Sequence, residues 1–137
     1  MRFVVDTGVF SASLSRRRRP EFDASVAMLA RSQLLLAPQA VAELRYGALV
    51  ARWGGTRRDR LEEAIKASTV LPVTDATITR VARLRHACRI IGHPLGDRAH
   101  SQDLWIAAAT MQSNASLLTL DTDFENVPGL RLARKAS

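Results

Sequence analysis

Short runs of consecutive apolar residues alternate along the chain with stretches whose apolar positions recur every three or four residues. The runs are "RFVV" (2–5), "LLLA" (34–37), "VLPV" (70–73), "SLLTL" (116–120) and "LRLA" (130–133). Short, continuous and rich in Val and Leu, they predict strands buried on both faces. Pro72 has no backbone donor, which confines "VLPV" to a sheet edge.

Helices fill the intervals. One is expected from Thr7 to Ser13, and Pro20 suits the first turn of another through "EFDASVAMLARS" (21–32). From Pro38 to Trp53, Val41, Leu44, Ala48 and Leu49 share one face. "WGGTRR" ends that helix and "RDRLEEAIKAS" forms the next. Asp75 is placed to cap a helix reaching Ile91, with Val81, Leu84, Cys88 and Ile91 on its apolar side. After the loop "GHPLGDRAHS", Ser101 opens a helix carrying Leu104, Ala107, Ala108 and Met111 at core spacing.

Strands separated by helices imply right-handed crossovers, hence an α/β fold with a mainly parallel sheet of four to five strands. No repeat or linker divides the chain, so residues 1–137 are expected to form one domain. Ligands of such sheets gather beyond the carboxyl ends of the strands. "FVVDTGVF" sets Asp6 at that edge, and "LLTLDTDF" sets Asp121 and Asp123 there. A helix leaving a strand starts at the same edge, which adds Glu43 and Asp103 as candidates. Each acid alone is equally well a turn former, a helix cap or a solvated residue. Their shared edge is more informative.

Converging carboxylates repel: two unit charges about 5 Å apart cost roughly 3 kcal/mol at an effective dielectric near 20. Such a cluster needs raised pKa values or a bound cation. An all-oxygen site favours Mg²⁺ or Mn²⁺, ions that also accept phosphate oxygens. The charge balance agrees with a phosphate-bearing partner. Net charge is +7 and the pI about 11.1, a footprint of polyanion binding. Arg outnumbers Lys 18 to 2, however, and a base composition rich in G and C produces the same bias.

Four ordered stretches resemble the PIN-domain ribonucleases, most closely the VapC-type toxins of bacterial toxin–antitoxin pairs: "VVDTGVF", "AVAELRYGA", "QDLWIAAAT" and "LLTLDTDF". The resemblance implies an α/β/α sandwich that cuts RNA with Mg²⁺ or Mn²⁺. Its acidic site would be Asp6, Glu43, Asp103 and Asp121, with Asp6, Asp103 and Asp121 as metal ligands. Glu43 and Asp121 would hold or orient water, and Thr7 and Asp123 would be accessory. Gly8 departs from the Asn or Ser usual in the family, and Asp121 and Asp123 compete for the fourth place. The expected chemistry is in-line attack of a metal-activated water, leaving a 5′-phosphate and a 3′-hydroxyl. A homodimer and a cognate VapB-like antitoxin are implied as partners.

Outside the acids, "SRRRR" supplies Arg16, Arg17, Arg18 and Arg19 as candidate RNA contacts, and Arg45 on the Glu43 helix is another. His86, His93 and His100 show no familiar metal spacing, and Asp97 falls in a turn-like loop. Trp105 and Phe124 fit a core better than a base-stacking surface, and Cys88 fits a buried apolar face. One cysteine excludes an internal disulfide. With no signal-like leader and no apolar run near the roughly 20 residues that cross a bilayer, a cytoplasmic protein without membrane contact is expected.

Two other classes compete with this reading. A phosphatase with an Asp-x-Asp motif needs an acid where Gly8 stands, and a phosphoacceptor domain needs a lysine at a late strand end, which neither Lys66 nor Lys135 provides. A non-catalytic RNA-binding domain remains the alternative, although all four acids are present.

Overall fold

The computed structural model describes residues 2–15, 17–30 and 32–133. Four short parallel strands form the sheet: β1 (Arg2–Val5), β2 (Gln33–Leu36), β3 (Thr69–Val70) and β4 (Ser116–Leu118). Their order is β3-β2-β1-β4, with β1 pairing through Val4 to Leu35 on one side and to Leu117 on the other. Six helices cover it: α1 (Thr7–Leu14), α2 (Asp23–Leu29), α3 (Pro38–Val50), α4 (Gly55–Lys66), α5 (Asp75–Ile90) and α6 (Ser101–Gln112). The result is the expected α/β/α sandwich.

The continuous apolar runs are explained by the pleat, which sends neighbours to opposite faces. Val4, Leu35 and Leu117 point into one core, with Leu84 and Cys88 of α5 and Leu104, Ala107 and Ala108 of α6. Phe3, Val5, Leu36 and Leu118 point into the other, against Val9 and Phe10 of α1, Leu44 of α3 and Leu61 and Ile65 of α4. A one-residue slip of β1 would exchange its two faces, so register and core specify each other.

Several boundaries differ from the sequence expectation. α3 stops at Val50 rather than Trp53, because Arg52 takes a left-handed conformation (φ 54°) and Trp53 N–H bonds back to Ala48. Asp75 is not the cap of α5. Thr74 is, exchanging hydrogen bonds with Thr77 in a reciprocal capping box. Leu49 and Ile91, expected on apolar faces, are exposed. The predicted strand 130–133 is reduced to one bridge, Leu132 beside Leu117, and "SLLTL" ends at Leu118. That early ending shapes the site.

Candidate active site

Asp6 follows β1 directly, and its own N–H continues the ladder to Leu118 at 3.2 Å. Its side chain does two things at once. As the N-cap of α1, it accepts the Val9 N–H at 2.9 Å through Oδ1. Through Oδ2 it accepts the hydroxyl of Thr119. Thr119 is available only because the strand ends one residue earlier, and its Oγ1 also accepts the Asp121 N–H at 2.9 Å. The turn reading and the site reading of Asp6 are therefore compatible.

Glu43 projects from α3 and accepts the Thr7 hydroxyl at 2.7 Å. Thr7 thus braces Glu43, while Thr119 braces Asp6. Asp121 caps the turn Thr122–Phe124, with Oδ1 accepting the Asp123 N–H at 2.9 Å. Asp103 lies in the first turn of α6. Asp6, Glu43, Asp103 and Asp121 line one cavity of about 480 Å³, together with Thr7 and Arg19.

The electrostatics register this crowding. Burial pushes the Asp6 carboxyl above its ordinary value of 3.8, and nearby Asp121 and Glu43 add to it. The hydrogen bonds from Thr119 and Val9 pull the other way without cancelling the rise. Asp103 is raised too, by burial and then by Asp121 and Glu43, against a smaller opposing effect of His100. Asp6 and Asp103, two of the three expected metal ligands, thus hold their protons more tightly than free aspartate.

His100 and Asp123 complete the rim. His100 Nδ1 lies 3.7 Å from a carboxylate oxygen of Asp103 and 3.7 Å from one of Asp123. The potential ligand atoms of these three all fall within 4.8 Å of one another. Among the described residues this is the tightest three-residue grouping, and it contains one of the four expected acids. His93, by contrast, fastens a loop: Nδ1 accepts the Leu95 N–H, leaving Nε2 to donate to Glu125 at 2.7 Å.

The predicted basic residues divide. Arg16 lies outside the described residues. Arg17 is exposed, Arg18 pairs with Asp23 at 2.9 Å, and Arg19 reaches Glu21 at 3.6 Å while lining the acidic cavity. Arg45 points away into a two-pronged pair with Glu62 of α4, the closest contact being 2.8 Å. Its geometry joins two helices. The sequence offers no sign of Thr119, and it sets His100 aside for want of a metal spacing. A Thr in an apolar run looks like a strand residue, and a lone His carries no spacing signal.

A PIN domain family model matches residues 3–130. Ribonuclease VapC5 from Mycobacterium tuberculosis (strain ATCC 25618 / H37Rv) is 33% identical over 129 residues, covering 92% of this chain and 87% of the relative. VapBC-5 from the same species, a solved member of the VapBC family of toxin–antitoxin systems, aligns at 28% identity. That alignment covers 97% of this chain and 98% of the relative with a TM-score of 0.68. VapBC2 from Rickettsia felis, solved bound to a promoter DNA fragment, aligns at 19% identity and a TM-score of 0.79. It covers 97% of this chain and 98% of its own, a likeness of fold.

Proposed function

The chain belongs to the PIN-domain family and to its VapC-type ribonucleases, and from that premise we propose that it is a metal-dependent endoribonuclease acting as the toxin of a toxin–antitoxin pair. The observation that carries this reading is the single cavity lined by Asp6, Glu43, Asp103 and Asp121, with Arg19 at its wall.

The donor set fits Mg²⁺ or Mn²⁺. All four side chains offer hard carboxylate oxygens, and two of them are held above their ordinary pKa by burial and mutual repulsion that a cation would relieve. Asp6, Asp103 and Asp121 would hold the ion. Bound there, it supplies Lewis-acid polarisation of a phosphate oxygen and a more acidic water.

The protein's own groups supply the rest. Thr119 and the Val9 N–H fix the Asp6 carboxylate. Thr7 fixes Glu43, whose remaining oxygen is free to orient the attacking water and take its proton. Arg19 neutralises the phosphate being cut. Residues 1–137 would act as one nuclease unit in the cytoplasm, where RNA is encountered. Among the described residues no helix is long and apolar enough to cross a membrane.

The solved VapBC relatives are toxin–antitoxin systems. By extension this chain would form a homodimer and be silenced by a cognate VapB-like antitoxin reaching its acidic cavity. The test is cleavage of labelled RNA with Mg²⁺, Mn²⁺ or excess EDTA, by the native chain and by Asp6→Asn. Metal-dependent cleavage that disappears in the variant supports the proposal. Cleavage that survives full chelation overturns it.

A further inference from the structure

A second groove, of about 400 Å³, adjoins the acidic cavity and shares Gly8, Arg19 and Phe22 with it. Its walls carry Arg17, Arg18, Arg19, Arg57 and Arg60, and no acidic side chain lines it among the described residues. Two of these arginines come from α4, a helix whose sequence pattern carries no ligand signal. We infer that this groove holds the single-stranded RNA backbone leading into the acidic cavity, with Arg57, Arg60 and Trp53 as its outer contacts. The inference rests on the ribonuclease reading above.

Three features favour RNA over another occupant. The first is charge: Arg18 is partly spent on Asp23 and Arg19 on Glu21, whereas Arg17, Arg57 and Arg60 have no acidic partner among the described residues. The second is preorganisation. The Arg57 guanidinium lies 4.5 Å from the centroid of the Trp53 ring, and Arg60 donates to the Leu14 carbonyl at 3.3 Å. Both are held along the wall, so less rotamer freedom is lost when a phosphate arrives. The third is the placing of two aromatic residues, Phe22 and Trp53, among the cations. Single-strand binders combine a basic groove with aromatic platforms on which bases stack, an arrangement indifferent to sequence. Adjacency matters as well: Gly8, Arg19 and Phe22 line both the groove and the acidic cavity, so an occupant of one lies against the other.

Binding is read separately from cutting by using Asp6→Asn in EDTA with a fluorescein-labelled oligouridine across a salt series. Arg57→Gln with Arg60→Gln should weaken binding roughly tenfold or more. It should also flatten the log–log salt slope by about 1.4, two single-strand phosphate contacts at about 0.7 each. Arg80→Gln with Arg83→Gln, on α5 and outside the groove, should change neither. Trp53→Ala should weaken binding roughly tenfold, and Trp53→Phe should recover part of that, with melting curves confirming that both variants fold. An unchanged slope, or an equal loss in the α5 control, overturns the inference. It is also overturned if the groove variant keeps RNA but loses oligoglutamate, for then the groove belongs to an acidic peptide. Groove-dependent binding without metal-dependent cleavage would sink the nuclease reading alone. Cleavage with groove-independent binding would sink this inference alone.

Discussion

Thr119 donates its hydroxyl to Asp6 and accepts the Asp121 N–H on the same oxygen, at 2.9 Å in the second contact. One side chain therefore links the acids that follow two different strands. Thr119→Val keeps the shape and removes both bonds. Residues that brace metal-binding carboxylates typically contribute 10–100-fold, so Mn²⁺ affinity by calorimetry should fall by about that factor. The hydrogen bond lowers the Asp6 pKa, so its loss should also move the acidic limb of the pH–rate profile upward. Thr119→Ser should restore both. A variant that merely loosened packing would lose stability without moving the limb.

The raised carboxyls of Asp6 and Asp103 make the metal-free fold sensitive to pH in a definite direction. A group whose folded pKa exceeds its unfolded value favours the fold while protonated, and that contribution is lost as pH rises through the folded value. The metal-free protein should therefore surrender stability as pH rises from the ordinary carboxyl value of 3.8 through the raised values of these two acids. At a pH above the raised Asp6 value Asp6→Asn should melt higher than the native chain, the gap closing as the acid is protonated. Added Mg²⁺ should reverse the order by stabilising only the native chain, by about 2.7 kcal/mol at a hundredfold excess over Kd. That shift should fade on acidification from a pH above 3.8, since each ion must displace protons. Thermal melts across pH, with and without metal, read all three. A native chain that gains on Asp6→Asn in EDTA as the pH rises above 3.8 would contradict the account.

Asp121 and Asp123 can be told apart by what each perturbs. Asp121 raises both Asp6 and Asp103 and lines the cavity they share. Asp123 stands with His100 at the rim, 3.7 Å from its ring nitrogen. Asp121→Asn, which keeps an oxygen for the Asp123 N–H, should lower the pKa of Asp6 and Asp103 and reduce cleavage roughly 10–100-fold. Asp123→Asn should cost less than tenfold. Single-turnover rates with saturating Mg²⁺ decide the order, and a larger loss at Asp123 would reverse the assignment.

The sequence exposed the sheet and the acidic rim together because both rest on short-range rules. Val4 and Leu117 had to be buried for the runs to make sense, and a carboxylate after such a run can lie only at the strand's carboxyl end. What escaped was whatever depended on where a strand stops. Thr119 continues the apolar run on paper, but its hydroxyl is taken by Asp6 and by the Asp121 backbone, which turns the chain out of the sheet. Arg45 was misleading for the opposite reason. Its place on the Glu43 helix suggested a shared task, yet helix residues two apart do not face each other, and Arg45 finds Glu62 on α4 instead. Arg57 and Trp53 come together only because α3 stops at Val50 and α4 starts at Gly55, a boundary that periodicity does not fix to the residue.

Gly8 offers a gain rather than a loss. It is the second residue of α1, exposed and within an ordinary helix, where glycine costs roughly 0.5–1 kcal/mol relative to alanine. A Cβ built there would stand 3.7 Å from Asp6 Oδ1, an ordinary contact that needs no backbone shift. Gly8→Ser should therefore fold, melt a few degrees higher, and place a hydroxyl within reach of the Asp6 carboxylate. A further donor favours the ionised form, so the Asp6 pKa should move down toward its ordinary value. Mn²⁺ affinity at mildly acidic pH should rise with it, because fewer protons must be displaced. Gly8→Ala separates the two effects: it should keep the gain in melting temperature and leave the carboxyl titration, followed by NMR of labelled aspartate, where it was. If alanine lowered the titration as far as serine, the hydroxyl would have no part in it, since burial by a methyl group could only raise the carboxyl.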